Sequence, residues 1–227
     1  LQLPARAFKA YIFDCDGTLV DSMPIHYVCW IESLRRHGAT FEFTEDEFYH
    51  FAGVREQDTV VILNERHGTQ IDPEAVADTK AGLFSQRIHE VLRIHPVASI
   101  AESFHGRAPM SVASGSEAPI VHACLRSTDL FHLFETIITP ADVTRGKPAP
   151  DIYVLAARRA GFAAQECLVV EDSVTGATAA VAAGCQVLGF TGTHADRAEH
   201  ALKLVQAGCF RVFDDMVELP DIVKSLT

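Results

Sequence analysis

The sequence predicts an α/β protein, a parallel sheet flanked by helices with a small all-helical segment inserted after the first strand. Three observations predict it. From residue 97 onward short apolar runs alternate with helix-length patterns, while residues 22–92 carry helical signals alone. In addition, four polar motifs each follow a short apolar run, and parallel sheets collect their sites beyond the carboxyl ends of their strands.

The first strand begins near Ala10 and closes on Ile12 and Phe13, ahead of Asp14-Cys15-Asp16-Gly17-Thr18. Side chains alternate along an extended chain, so Asp14 and Asp16 share one side and Cys15 packs on the other. Gly17 and Thr18 turn the chain. Pro24 then opens a helix as a first-turn residue, and Gly38 caps its end. Thr44 with Glu47 forms a capping box that starts a short helix through Phe51. Gly53 breaks it, and Glu56 to His67 forms the next helix, stopping at Gly68. Asp72-Pro73-Glu74 starts a helix that is expected to reach about Leu92. Two units follow: an α/β core of residues 1–21 and 93–227, and a helical insert of residues 22–92, in which no strand is expected.

Beyond the insert the expected order is helix 98–104, strand 109–113, helix 117–126, strand 135–138 and helix 151–161. Strand 166–170, helix 174–183, strand 185–189, helix 197–206, strand 210–213 and helix 216–225 complete it. Strands separated by helices of this length call for right-handed crossovers and hence a parallel sheet.

Composition narrows the function classes. The chain has 227 residues, 48% hydrophobic and 22% charged, enough for a substantial core. A formal net charge of -11 argues against a nucleic-acid partner. It also means that an anionic substrate must be drawn in by local cations. Cys15, Cys29, Cys124, Cys167, Cys185 and Cys209 show no CxxC or metal-ligand spacing, so buried free thiols in a reducing cytoplasm are expected. No stretch suits a membrane span, and LQLPARAFKA lacks the apolar core of a signal peptide.

Residues 11–22 read YIFDCDGTLVDS, 109–116 PMSVASGS, 145–151 RGKPAPD and 168–172 LVVED. In this order they resemble the four motifs of the haloacid dehalogenase-like superfamily, over the whole chain. DSMPIHYVCW after DGTLV is similar to the beta-phosphoglucomutase and sugar-phosphatase branch. The resemblance implies a Rossmann-like core under a helical cap domain.

Phosphoryl transfer to a carboxylate needs a nucleophile, charge neutralisation, and an acid for the leaving oxygen. Asp14 is the candidate nucleophile, which would become an aspartyl-phosphate. Asp16 would protonate the departing alkoxide and then deprotonate the attacking water, and the resemblance assigns the same roles. Lys147, held in a turn by Pro148 and Pro150, supplies a fixed positive charge. The Ser114 hydroxyl would donate to a phosphoryl oxygen, helped by the main-chain N–H groups of Gly115 and Ser116 at a helix start. The carboxylate-rich pocket suits Mg2+. The resemblance implies the side chains of Asp14 and Asp172 and the carbonyl of Asp16 as its ligands. Glu171 either ligates directly or holds a metal-bound water.

The insert is expected to close over the site as a lid. Candidate substrate contacts are His26, Gly53, Arg55, Lys80, Gly115 and Ser116. In the mutase the matching turn reads Gly-Val, a serine and then a phosphate-gripping arginine. Here Arg55 follows Val54 directly, one position early, so a solvated residue at a helix start is an equal reading.

The expected function is Mg2+-dependent hydrolysis of a small phosphorylated metabolite, a sugar or polyol phosphate. One alternative is beta-phosphoglucomutase-type transfer; another, from a different class, is a catalytically idle binding module of the same fold. Asp16 excludes two further chemistries within the superfamily. Dehalogenation proper has no acid at that position, and phosphonatases carry alanine there.

Overall fold

The computed structural model describes residues 8–192 and 196–226. Residues 1–7, most of the stretch that lacks a signal-peptide core, lie outside that range.

A six-stranded parallel sheet forms the centre, built from β1 (Ala10–Phe13), β4 (Met110–Ala113), β5 (Thr136–Ile138), β6 (Cys167–Glu171), β7 (Gln186–Phe190) and β8 (Arg211–Phe213). Their spatial order is β5-β4-β1-β6-β7-β8, with β1 flanked by β4 and β6. Every residue of β1, β4 and β6 is buried, as expected for strands covered on both faces, whose runs are near-continuously apolar, with Ser111 and Glu171 the polar members here.

The helices outside the insert are α5 (His95–Phe104), α6 (Ala118–Ser127), α7 (Asp151–Ala160), α8 (Val174–Ala183), α9 (Arg197–Gln206) and α10 (Leu219–Lys224). One apolar cluster joins Phe13 and Val112 to Ile100, Val121 and Ile222 of α5, α6 and α10. A second joins Ile12 and Val169 to Ile152, Ala177 and Leu204 of α7, α8 and α9. The expected helix at 216–225 begins as a tight turn at Met216–Glu218, and α10 proper starts where Pro220 takes a first-turn position.

The insert holds α1 (Met23–Arg36), α2 (Glu45–His50), α3 (Glu56–His67) and α4 (Pro73–Gln86). Met23, Trp30, Leu34, Phe48, Val60, Leu63 and Val76 give it an apolar cluster of its own. The capping box forms as read: Thr44 Oγ1 accepts from the Glu47 N–H at 3.2 Å, and the Thr44 N–H donates to Glu47 Oε2 at 3.1 Å. Asp72 accepts from two N–H groups of α4.

The end of the insert differs from expectation. α4 stops at Gln86, a short turn follows at Ile88–Glu90, and β3 (Leu92–Arg93) pairs antiparallel with β2 (Val20–Asp21). Val20 lies opposite Arg93 and Asp21 opposite Leu92. A two-residue strand is stable only through its partner, here some seventy residues away in sequence, so no local pattern announces it. The pair forms the stem through which the chain leaves the core and returns. Among the described residues no helix is long and apolar enough to cross a membrane.

Candidate active site

Adjacent strand ends bring the motifs together. The Asp14 N–H donates to the Val170 carbonyl at 3.0 Å and the Ser114 N–H to the Ile138 carbonyl at 3.0 Å. Each residue thus extends its ladder by one step, and its side chain is fixed at the sheet edge. Cys15 is wholly buried, as alternation requires.

Lys147 is buried rather than solvated. Its Nζ donates to Asp14 Oδ1 at 2.6 Å and to Glu171 Oε1 at 2.7 Å, and lies 5.3 Å from the centre of the Tyr153 ring. Burial alone would strip its proton, but the Asp14 and Glu171 carboxylates outweigh that cost and hold the ammonium charged well above its usual range. The Asp14 carboxyl is likewise raised, well above the usual carboxylate range. Burial raises its proton affinity, Lys147 opposes, and Glu171, Asp172 and Asp16 raise it further.

Glu171 has both oxygens engaged. Oε1 accepts from Lys147 and from the Tyr153 hydroxyl at 3.1 Å, while Oε2 accepts from the Ser173 N–H at 2.6 Å and the Ser173 hydroxyl at 2.9 Å. A Cβ on Gly176 would collide with this carboxylate, so only glycine fits behind it. In this arrangement the Glu171 carboxylate faces Lys147, Tyr153 and Ser173.

Asp16 sits in a ring of donors. Ser22 Oγ lies 2.6 Å and Ser116 Oγ 2.8 Å from its oxygens, with Ser114 Oγ at 3.3 Å and His26 Nε2 at 3.1 Å. Burial would raise its proton affinity, yet His26 and the serine hydroxyls hold it well below the usual carboxylate range. Ser114 thus faces Asp16 in this arrangement, and its Oγ also accepts from the Ser116 N–H at 3.0 Å. Burial and the Lys80 charge push the proton affinity of His26 down, against the pull of Asp16. Lys80 Nζ donates to Nδ1 at 3.0 Å, which leaves Nε2–H to donate to Asp16.

A cavity separates this floor from the inserted helices. Asp14, Asp16, Asp172, Ser173, Gly115 and Ser116 line its core side. His26, Lys80, Gly53, Glu56, Thr59 and an apolar wall line the other. Gly53 and Gly115 meet across the gap, since a Cβ on Gly115 would lie 2.6 Å from the Gly53 carbonyl. Of the six candidate substrate contacts only Arg55 does not line the cavity, while Ser114 and Lys147 lie buried behind its lining. Its guanidinium donates to the Pro140 and Val143 carbonyls, each at 3.0 Å, and so ties the start of α3 to the loop that carries Lys147. Thr175 Oγ1 adds a second tie, to the Ala52 carbonyl.

The donors fit a hard divalent cation. Asp14 and Asp172 both present carboxylates to the cavity floor, and a Cβ on Gly17 would strike the Asp172 carboxylate, which places that group against the loop bearing the Asp16 carbonyl. The Thr18 hydroxyl fixes Asp172 Oδ1 at 3.1 Å. Among the described residues no three acidic, His or Cys side chains converge as a ready-made metal cluster. The set is two carboxylates and a main-chain oxygen, which suits an ion that keeps several waters.

Three participants were not among the candidates read from the sequence: Ser22, which bonds Asp16, Glu56, which pairs with Lys80, and His200. His200 is buried and its Nε2 lies 2.7 Å from the Asp172 carbonyl. Its spacing from Leu204, one helical turn along the buried side of α9, was the available signal.

The family model for haloacid dehalogenase-like hydrolases matches residues 8–184. Fructose-1-phosphate phosphatase YqaB of Escherichia coli (strain K12) is 33% identical over 178 residues, 78% of this chain and 93% of that protein. Hexitol phosphatase A of the same organism is 31% identical over 183 residues, 79% of this chain and 82% of its own length. A hydrolase from Pseudomonas syringae superposes with a TM-score of 0.84 at 23% identity, covering 96% of this chain and 98% of that one, a likeness of fold.

Proposed function

This chain belongs to the haloacid dehalogenase-like hydrolase family, and from that premise we propose that it is a Mg2+-dependent phosphatase of sugar or polyol monophosphates. The observation that carries the mechanism is the buried Lys147 ammonium between Asp14 and Glu171. It lets one anion approach another where water cannot screen them. An Asp14 oxygen attacks phosphorus, the ester P–O bond breaks, and the departing alkoxide takes a proton from Asp16. Water then attacks the aspartyl-phosphate, Asp16 takes back a proton, and phosphate leaves with the Asp14 carboxylate restored.

The donor ring around Asp16 matches its basic half of the cycle. Its acidic half follows when a phosphate dianion arrives alongside and raises its proton affinity. Asp14, Asp172 and the Asp16 carbonyl would hold Mg2+, which supplies neutralisation of charge on the transferring group. Ser114 and Ser116, by exchanging their bonds to Asp16, would meet the phosphoryl oxygens. The inserted helices act as the cap, excluding water while the covalent intermediate forms.

Mutase-type transfer needs a cation for a second phosphate. Arg55 is spent on core carbonyls and Lys80 is paired inside the cap, which favours release to water. The test runs assays for free phosphate and for glucose 6-phosphate side by side, on hexose and polyol monophosphates and on beta-glucose 1-phosphate with bisphosphate primer. Phosphate release should dominate, vanish on chelation and return with Mg2+. Isomerisation outpacing phosphate release would replace the phosphatase with a mutase.

A further inference from the structure

The wall of the cavity opposite Asp14 is not used by the proposed chemistry. Met23, Trp30, Phe43, Phe48 and Phe51 make most of it apolar, and Glu56 interrupts it. The Glu56 side chain is only 10% exposed, and its Oε1 is paired with Lys80 Nζ. Its Oε2 has no hydrogen-bond partner among the described residues. Lys80 has two of its three N–H donors engaged, with Glu56 and with His26 Nδ1 at 3.0 Å, and lies 5.5 Å from the centre of the Trp30 ring. It is also the one Lys or Arg among the described residues lining the cavity.

We propose that Glu56 is a specificity-determining residue: Oε2 accepts a hydroxyl of the substrate remote from the reacting phosphate, and the carboxylate excludes a second anionic group there. This rests on the phosphatase reading above and narrows its substrate class to hydroxylated monophosphates, bisphosphates being rejected. The chemistry is one-sided. An ionised carboxylate only accepts hydrogen bonds, so it calls for an O–H donor. A phosphate placed against it meets like charge in a confined space. A phosphate drawn to the remaining Lys80 N–H would still lie against the Glu56 carboxylate, and displacing Glu56 would strand a buried carboxylate without its partner. The flanking rings suit the C–H faces of a polyol chain.

The experiment compares kcat/KM for a hexitol monophosphate, the matching hexitol bisphosphate and hexyl phosphate, in the wild type and in Glu56→Gln. Wild type should favour the hexitol monophosphate over each of the others by about 100-fold or more, since a site built to bond a hydroxyl rejects an analogue lacking it by up to roughly 10⁴–10⁵-fold. Glu56→Gln should shrink the preference over bisphosphate by about tenfold, chiefly through KM, whereas a merely structural role would depress all three substrates together. Equal wild-type turnover of mono- and bisphosphate, or an unchanged ratio in a variant with native circular dichroism, overturns the proposal. If the variant does not fold, the wild-type ratios decide alone. Phosphate release separates the two levels: none from any of these substrates or from p-nitrophenyl phosphate sinks the phosphatase reading itself. Release from the hexitol monophosphate without the expected discrimination sinks only the role of Glu56.

Discussion

Asp14→Asn is expected to cut phosphate release by roughly 10⁴-fold or more, the scale of losing a covalent nucleophile. Asparagine has the same shape but no charge to donate to phosphorus. The fold should persist, because Lys147 keeps Glu171 as a partner and the site sheds one of its buried negative charges. Steady-state phosphate release measured beside thermal unfolding checks both halves. Turnover within tenfold of wild type would mean that Asp14 is not the attacking group.

Lys147→Ala is expected to be the second-largest loss and to differ in kind. Removing one preorganised electrostatic group costs on the order of 2–4 kcal/mol of transition-state stabilisation, read as kcat/KM. Here stability should fall as well, since Asp14 and Glu171 are left as buried carboxylates facing each other, a defect worth about 3–5 kcal/mol. Activity and thermal unfolding therefore drop together in this variant and separate in Asp14→Asn. A Lys147→Ala enzyme with full activity and wild-type stability would contradict the role of Lys147 as the buried counter-charge.

The contrast between these variants also marks what local pattern conveyed. Asp14, Ser114 and Asp172 were legible because each follows an apolar run that could only be a covered strand, and parallel topology gathers such ends. Lys147 was legible by its place ahead of α7, but its depth was not, because burial of a lysine depends on the two carboxylates that meet it from β1 and β6. The stem of Val20–Asp21 and Leu92–Arg93 was invisible for the same reason, being a pairing across the whole insert. Arg55 shows the limit most clearly. Its sequence neighbours align it with a substrate-gripping turn, whereas two carbonyl oxygens near residue 140 decide where its guanidinium points. The chain from Asp16 through His26 and Lys80 to Glu56 draws on the first motif and on α1, α4 and α3 in turn, and no single stretch encodes it.

The central claim is covalent: the phosphoryl group passes through Asp14. Mixing wild-type enzyme with less than one equivalent of a 32P-labelled hexitol monophosphate and Mg2+, quenching in acid within milliseconds and mapping the label by peptide mass spectrometry tests it directly. The account predicts a transient, hydroxylamine-labile phosphoryl group on the peptide that contains Asp14, decaying as free phosphate appears. Label found on Ser114, Ser116 or His26, or free phosphate formed in a single turnover with no labelled protein at any time point, would contradict it.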